Sequence, residues 1–508
     1  FFLRQVLLLY KKVRKDCSDA AIETEVTTFR SIDQSLRTPS LDWLGDELPL
    51  GGSRLAFTDG LRSAPDMLSH REPVARPHLA IVQLVSDILI SRMPEFDWRT
   101  LIPRHGPGAV SDVRTGEDKY LFPNWPSKLD RIFPKEYFAQ HREDLYEDET
   151  HVIGGLHEPP ARLLAVPKTL KAPRMIASEP VAHQFIQLGL MRWFRDNLPR
   201  PLRTCIDFHS QEPSRAHCLE ASKDGTIATV DLSAASDRLS LWVVERLFWS
   251  NPSIIKALHS SRTRWLVNAT GLGEPYFLRL RKFAPMGNGT TFPVQSIAYA
   301  VFCIATLLYD EGRPVNWATI SSASKRIRVY GDDIILPSSS VPSLALLLEH
   351  FQLKLNRDKT FTSGHFRESC GIDAWDGSDV TPVYLRDLEL RQTSDSLSSW
   401  CDVQKNAARK GLMKLADWLE ESIPQKLRDS LPRSQGELGC LTLWSAFPNM
   451  VSGGKRRFNR RLQVHEVWAL VAQAKVTRRK RNNYGDLLQY FLEEPKPDTK
   501  WVAGYTVS

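Results

Sequence analysis

Tyr330-Gly331-Asp332-Asp333 sets two acids between the apolar runs RIRVY and DIILP. Like charges held at the end of a buried hairpin are costly unless a cation neutralises them. A third acid, Asp231, closes another apolar run, TIATVD. Mg²⁺ is a hard ion that accepts a few carboxylates and keeps waters or phosphate oxygens in its remaining positions, so acids from adjacent strand ends suit it. Two such ions about 3.5–4 Å apart activate an attacking hydroxyl and stabilise a departing pyrophosphate. The chemistry implied is nucleotidyl transfer. The plainer alternatives are a solvated hairpin tip for the pair and a helix-capping role before Leu232 for Asp231.

Two further segments could serve the same reaction. In Pro167-Lys168-Thr169-Leu170-Lys171-Ala172-Pro173-Arg174 three cations recur at three-residue spacing, and the prolines keep the segment from being regular helix. Such a loop can surround a triphosphate, and Arg162 just upstream adds to its field. Pro285-Met286-Gly287-Asn288-Gly289-Thr290-Thr291 precedes a long apolar stretch. Its glycines allow the backbone a close approach to a ligand, and the Asn288 amide can both donate to and accept from a sugar hydroxyl. By themselves these segments also read as a solvated basic loop and a turn before a helix.

The elements that must position these groups are partly visible. TIATVD reads as a short β-branched strand, and SDRLSLWVVERLFW as an amphipathic helix capped by Ser236 or Asp237. RIRVY and DIILP read as strands joined by a Gly-Asp hairpin turn. SLALLLEHF has helical spacing and leads to an expected strand near Lys359. SIAYAVFCIATLLY (Ser296 to Tyr309) is short of the roughly 20 apolar residues that span a membrane, and reads as a core helix. Pro/Gly-rich stretches from Leu101 to Val110 and from Gly154 to Arg174 are expected to be irregular.

The whole chain sets limits on the class of protein. It has 508 residues, 42% hydrophobic and 25% charged, with a net charge of +8. That composition excludes wholesale disorder, collagen-like repeats and a coiled-coil rod, and no internal repeat is present. Seven scattered cysteines without a CxxC pair argue against a disulfide framework or a thiolate metal site and favour a reducing compartment. The opening FFLRQVLLLYKKVRK carries its charges after the apolar part and is not expected to be a secretory signal, and it lacks an initiating Met. From residue 451 onward 12 Lys+Arg face 5 Asp+Glu, so most of the excess charge lies there. The clusters Lys455, Arg456, Arg457, Arg460, Arg461 and Lys475, Arg478, Arg479, Lys480, Arg481 could track RNA phosphates, with Phe458 and Tyr484 nearby to stack on bases.

Taken in order, TVDLSAASDRLS, MGNGTTFPVQS and VYGDD resemble the motifs of viral RNA-directed RNA polymerases. More closely, PKTLKAPRMIASEP, YGDDIILP, LNRDKTF, FRESCG and DVTPVYLR resemble the replicase catalytic (beta) subunit of the single-stranded RNA bacteriophages, the leviviruses. The likeness is strong over about residues 160–390, and RHGPGAV also has the look of that group. It implies an α+β right-hand polymerase with an antiparallel-sheet palm, fingers and a helical thumb. The expected division is residues 1–225 for the N-terminal region and fingers, 226–375 for a palm with a fingers insertion around 245–285, and 376–508 for a basic, mostly helical thumb.

Carried over residue by residue, the resemblance makes Asp231, Asp332 and Asp333 ligands of two Mg²⁺ ions, with Mn²⁺ as a substitute. It makes Lys168, Lys171 and Arg174 the triphosphate contacts, and Asp237 with Asn288 in its Gly287-containing loop the readers of the ribose hydroxyl. Lys359 aligns with a lysine that would protonate the leaving pyrophosphate, and Arg367-Glu368-Ser369-Cys370 would lie near the end of the growing strand. The implied partners are template and nascent RNA, nucleoside triphosphates, and the host elongation factors Tu and Ts with a ribosomal protein, in the cytoplasm of a bacterial host and without a membrane. Two alternatives stand beside this. A reverse transcriptase shares the palm acids, but needs a bulky side chain to exclude a 2′ hydroxyl where polar Asp237 and Asn288 stand here. A non-catalytic RNA-binding protein needs only the basic C-terminal region and leaves the three acids unexplained.

Overall fold

The computed structural model describes residues 1–13, 16–43, 45–59, 75–113, 119–139, 158–168, 172–273, 277–436, 439–447, 451–472 and 484–492. In chain order its strands are β1 (Ala161–Val166), β2 (Arg174–Ser178), β3 (Ile227–Val230), β4 (Leu232–Ser233), β5 (Trp265–Asn268), β6 (Phe277–Arg279) and β7 (Arg328–Tyr330). There follow β8 (Asp333–Pro337), β9 (Lys354–Leu355), β10 (Phe366–Ser369), β11 (Ile372–Trp375), β12 (Ser378–Asp379), β13 (Arg456–Asn459) and β14 (Val464–Val467). With helices both between and after them, the class is α+β, as expected.

At the centre lies the antiparallel sheet β3-β8-β7, extended locally by the β4-β9 pair. Its strands alternate poorly because both faces are covered, and Ile334, Ile335 and Leu336 are all buried. Helix Glu212–Asp224 packs against β3, β10 and β11. Helix Thr291–Asp310 contacts β7 and the helices Arg76–Ile90, Trp317–Ser324 and Val341–His350. Every residue from Pro293 to Leu308 in that helix is buried. By length and composition alone it could cross a membrane, yet 94% of its apolar window is enclosed by the rest of the chain. Phe302 stacks on Phe351 with ring centroids 4.7 Å apart, and truncating such a buried ring costs about 3–5 kcal/mol.

A second sheet has the order β2-β1-β5-β6, in which only the β1–β5 pair is parallel. The chain therefore leaves the central unit after β4 and returns to strands laid down much earlier. Val26 and Phe29 of helix Asp19–Ser35 close the small core of this sheet. A separate core around Trp400, Leu419 and Leu431 holds the helices Ser394–Arg409 and Met413–Glu421.

Several local expectations need correction. SDRLSLWVVERLFW is not one amphipathic helix capped by Ser236 or Asp237. A single turn, Ala235–Arg238, follows Ala234 in the left-handed region (φ 50°), and helix Leu241–Leu247 starts anew with Ser240 accepting from the Val243 N–H. All seven residues of that second helix are buried. Residues 154–174 are not irregular throughout, since β1 occupies Ala161–Val166. Leu232–Ser233 is strand, which removes the helix-cap explanation for Asp231. The strand expected near Lys359 is β9, and Lys359 itself ends a 3-10 turn, Arg357–Lys359. The basic region past 451 contains the hairpin β13–β14, so it is less helical than expected.

Candidate active site

Antiparallel pairing places the acids. β3 and β8 run in register as far as Val230↔Ile334, which makes Asp231 and Asp333 the next facing residues. β7 and β8 pair Tyr330 with Asp333, leaving Gly331-Asp332 as the two-residue turn. Gly331 has φ 64°, which glycine adopts without strain. Its N–H donates to Ser296 Oγ at 3.0 Å, tying the turn to helix Thr291–Asp310.

The electrostatics follow from that crowding. Burial first, then Asp332, and also Asp231, push Asp333 up to about 7, while the Cys370 amide and Lys359 pull the other way. Burial likewise raises Asp231, aided by Asp332 and opposed by Lys359. Lys359 Nζ lies 3.8 Å from Asp231 Oδ2 and 3.9 Å from Glu368 Oε1. Asn356 N–H donates to the Asp231 carbonyl at 2.9 Å, and its Nδ2 to Asp231 Oδ2 at 2.7 Å. Lys168 stands close enough to share this field: desolvation, then Arg174 and Lys359, lower its pKa, while Asp332 and Asp231 raise it. Arg174 opens β2 and is exposed. Lys359 and Lys168 thus share a field with the acids, and Arg174 acts on Lys168. Lys171 lies outside the described residues. Arg162 is exposed on β1, where its charge bears on Asp112.

The sugar-reading pair is placed differently. Asp237 Oδ1 accepts from Lys282 Nζ at 3.0 Å, and that buried ammonium also sits 3.4 Å from the Phe29 ring centroid. Asn288 is buried and its amide is engaged at both ends. Its Oδ1 accepts from Thr290 N–H at 2.8 Å and Thr290 Oγ1 at 2.7 Å, while Nδ2 donates to Glu179 at 3.3 Å. The glycines beside it approach protein rather than open space. Gly287 has φ 113°, and a Cβ there would lie 2.0 Å from the Ala177 carbonyl oxygen. At Gly289 a Cβ would sit 3.0 Å from the backbone of Gln187.

Among the described residues no three His, Cys, Asp or Glu side chains close into a ready-made cation cage. Two strand-end carboxylates and one at a turn tip still fit Mg²⁺, because that ion takes few protein ligands and fills its sphere with water and phosphate oxygens. The raised Asp333 carboxyl marks the same point: among the described residues this partly buried negative charge has no ion-pair partner.

A family model described as RNA replicase, beta-chain, matches residues 152–490. The chain belongs to that family. Over 230 residues it is 36% identical to the RNA-directed RNA polymerase subunit beta of Escherichia virus Qbeta, covering 44% of this chain and 35% of that protein. Over 226 residues it is 34% identical to the RNA-directed RNA polymerase beta chain of Escherichia phage MS2, covering 44% of this chain and 37% of that one. The matched stretch therefore spans little more than a third of these relatives. The solved RNA-dependent RNA polymerase of a human picorbirnavirus aligns with TM-score 0.39 and 14% identity over 53% of this chain and 58% of that one, a likeness on which nothing further rests.

In this replicase chain the first basic cluster lies on the β13–β14 hairpin. Arg457 pairs with Glu466, and Arg456 Nη2 donates to the Val451 carbonyl at 2.7 Å. Lys455, Arg460 and Arg461 are exposed, as is Phe458, whose ring packs 4.9 Å from that of His465. Lys475, Arg478, Arg479, Lys480 and Arg481 lie outside the described residues, as does the side chain of Tyr484. Arg367 is fully buried, and its guanidinium donates to the carbonyls of Ile227 (2.6 Å), Gly364 (3.0 Å) and Phe366 (2.6 Å). It anchors the start of β3 rather than reaching a strand end. Sequence reasoning passed over Asn356 and Glu179, and it set Glu368 near the growing strand's end without its contact to Lys359. Asn356 and Glu179 stand inside the runs LNRDKTF and PKTLKAPRMIASEP; the role of Glu179 was hidden because its partners Thr263, Gln187 and Asn288 come from three separate segments.

Proposed function

We propose that this chain carries the catalytic centre of an RNA-directed RNA polymerase. The 3′ hydroxyl of a growing RNA attacks the α-phosphate of a template-selected nucleoside triphosphate, and pyrophosphate departs. The facing of Asp231 and Asp333 across β3 and β8, with Asp332 at the adjoining turn, carries this reading.

Asp231, Asp332 and Asp333 are the residues that would hold divalent cations, two Mg²⁺ ions or Mn²⁺ in their place. When bound, such ions lower the pKa of the attacking hydroxyl and offset charge on the leaving group. Lys168 and Arg174, with Lys171 and Arg162, bind and orient the triphosphate through charge-assisted hydrogen bonds. Lys359, within 4 Å of Asp231, is positioned to hold a proton for the departing pyrophosphate. Asp237, braced by Lys282, presents a carboxylate to the ribose, and Asn288 shapes the loop beside it. Lys455, Arg456, Arg457, Arg460 and Arg461 track RNA phosphates, and Arg478, Arg479, Lys480 and Arg481 extend that surface. Residues 226–375 form the palm, into which 245–285 insert a fingers segment; residues 1–225 complete the fingers and 376–508 the thumb. The beta-chain names of the relatives suit a replicase of several subunits. Elongation factors Tu and Ts and a ribosomal protein, in the cytoplasm of a bacterial host, complete this reading.

The test is RNA synthesis by the purified full chain on an RNA template, with and without bacterial extract. Asp332→Ala should keep RNA binding and lose at least ~100-fold in synthesis rate. Undiminished synthesis would overturn the assignment. Preference for deoxyribonucleotides over ribonucleotides would turn it toward a reverse transcriptase.

A further inference from the structure

A cavity of about 600 Å³ opens where β11, the segment after β12 and helix Ser394–Arg409 meet. None of Asp231, Asp332, Asp333 or Lys359 lines it. Six cations do: Lys12, Arg215, Arg386, Lys405, Arg409 and Lys410. Two carboxylates stand among them. Asp379 pairs with Lys410 at 3.1 Å and Asp402 with Lys405 at 3.4 Å. Among the described residues, Lys12, Arg215, Arg386 and Arg409 have no carboxylate within ion-pair distance. Arg215 Nε donates to the Cys370 carbonyl at 3.1 Å and Arg409 Nη2 to the Gln435 carbonyl at 3.0 Å, contacts that aim each guanidinium without neutralising it. Lys12 Nζ rests 4.1 Å from the Tyr384 ring centroid.

A solvated basic face normally spreads its cations along one element, where water screens them. Here Lys405, Arg409 and Lys410 share one helix and its C-terminal cap, and the fold brings Lys12, Arg215 and Arg386 from distant segments into the same concavity. Lys12 is lowered by burial and then by its neighbour Lys11; Asp373 and Glu368 oppose this, and Arg386 adds the one contribution from the cavity's own cations. The volume falls in the range of sites that take a nucleotide-sized ligand. Guanidinium forks recognise phosphate oxygens in pairs, and several in one cavity favour closely spaced phosphates over a single carboxylate.

We infer that this cavity binds a ligand carrying consecutive phosphates, separately from the three acids. The phosphates belong either to a single-stranded RNA backbone or to a free polyphosphate such as the tail of a nucleoside triphosphate. The inference does not depend on the polymerase reading, because binding here needs neither the acids nor catalysis. Cys370 links the two regions: its carbonyl accepts from Arg215 and its amide N–H donates to Asp333.

The experiment uses the full chain without divalent cations and two probes, an eight-residue oligouridylate carrying 4-thiouridine and inorganic tripolyphosphate. Irradiation should crosslink the oligonucleotide to the peptide containing Tyr384. The charge reversals Arg386→Glu and Arg409→Glu involve exposed side chains. Each should leave the melting temperature unchanged and lower probe affinity by about tenfold, with the salt slope of RNA binding falling by about 0.7 per lost contact. Arg386→Lys should lose less than the reversal but not recover the full affinity, since an ammonium keeps the charge and lacks the paired donors. Crosslinking at Tyr384, competed by tripolyphosphate, assigns the site to RNA. Tripolyphosphate binding that is lost in both reversals, without an RNA crosslink at Tyr384, assigns it to free polyphosphate. If neither probe loses affinity in either reversal, the inference is overturned. Because this readout contains no synthesis, its failure is distinct from failure of the Asp332→Ala test.

Discussion

Asp333 shows how one position is asked to do two incompatible things. As a half-buried side chain at the start of β8 it is better off neutral; as a cation ligand it must be charged. Burial and its acidic neighbours hold it at about 7, well above the ordinary carboxylate value of 3.8. A folded-state pKa above the unfolded one adds stability at low pH, and that stability is lost as pH rises from about 4 through about 7. Asp333→Asn keeps the shape and removes the charge. Its melting temperature should therefore exceed the parent's at pH 8, by stability on the order of 2 kcal/mol, and match it near pH 4. Added Mg²⁺ should close the gap by stabilising the parent alone, while the variant loses at least ~100-fold in synthesis. Calorimetry at the two pH values, with and without Mg²⁺, reads all of this. A variant no more stable than the parent at pH 8 would mean that Asp333 is not charged in a confined place.

At the scale of elements, the loop Pro285–Thr291 matters for how it packs. Gly287 lies against β2, and Ala177 N–H donates to the Met286 carbonyl at 2.7 Å. Gly287→Ala adds a methyl group that meets the Ala177 carbonyl as well as a disfavoured φ, whereas Gly312 has φ 60° and nothing within 4 Å. Chemical denaturation should give a loss of about 1 kcal/mol for Gly312→Ala and at least ~3 kcal/mol for Gly287→Ala. Equal losses would show that the loop can move off β2. The same region marks the boundary of what the sequence discloses. The β7–β8 hairpin and the strand ending at Asp231 were legible because their signals are local: apolar runs, a Gly-Asp turn, an acid at the end. The break between Arg238 and Leu241 was not, since Leu239 and Ser240 are tied to Lys282 and Phe283, residues of the distant segment that follows β6. β1 was hidden by flanking prolines and takes its parallel partner β5 from a hundred residues further on. β13 is exposed and charged, so it carries no apolar alternation to betray a strand. Asn288 was read from its chemistry as a sugar contact, but its burial against Glu179 depends on segments that only the fold assembles.

Across the whole molecule, the N-terminal segment is clamped to the core by buried polar groups rather than by apolar contact alone. Glu245 accepts from the N–H groups of Ser40 (2.7 Å) and Leu41 (2.9 Å) and from Trp43 Nε1 (2.6 Å). Arg264 donates to the Trp43 and Gly45 carbonyls and pairs with Glu158, which also meets Lys128 at 3.0 Å. His183 and His259 are packed among these cations, and neither ring has a hydrogen-bond partner among the described residues. Burial first, then Lys128, lowers His183 to about 3 and His259 to about 2, so both are neutral in the folded chain. A depressed folded-state value contributes stability that is present above about pH 6.5 and lost as pH falls toward the folded value. Buried carboxyls with raised values, such as Glu179 and Glu245, work in the opposite direction, so the overall pH profile cannot isolate the histidines. A difference measurement can. His259→Phe keeps an aromatic ring against Trp43, now 4.6 Å from the imidazole, and removes one titrating site. Between pH 6 and pH 4 the parent should lose about 1.4 kcal/mol per pH unit more than the variant, the free energy of one proton taken up on unfolding. Parallel stability curves for the two chains would show that His259 is already protonated when folded, and that the Lys128–Glu158–Arg264 cluster is open to water.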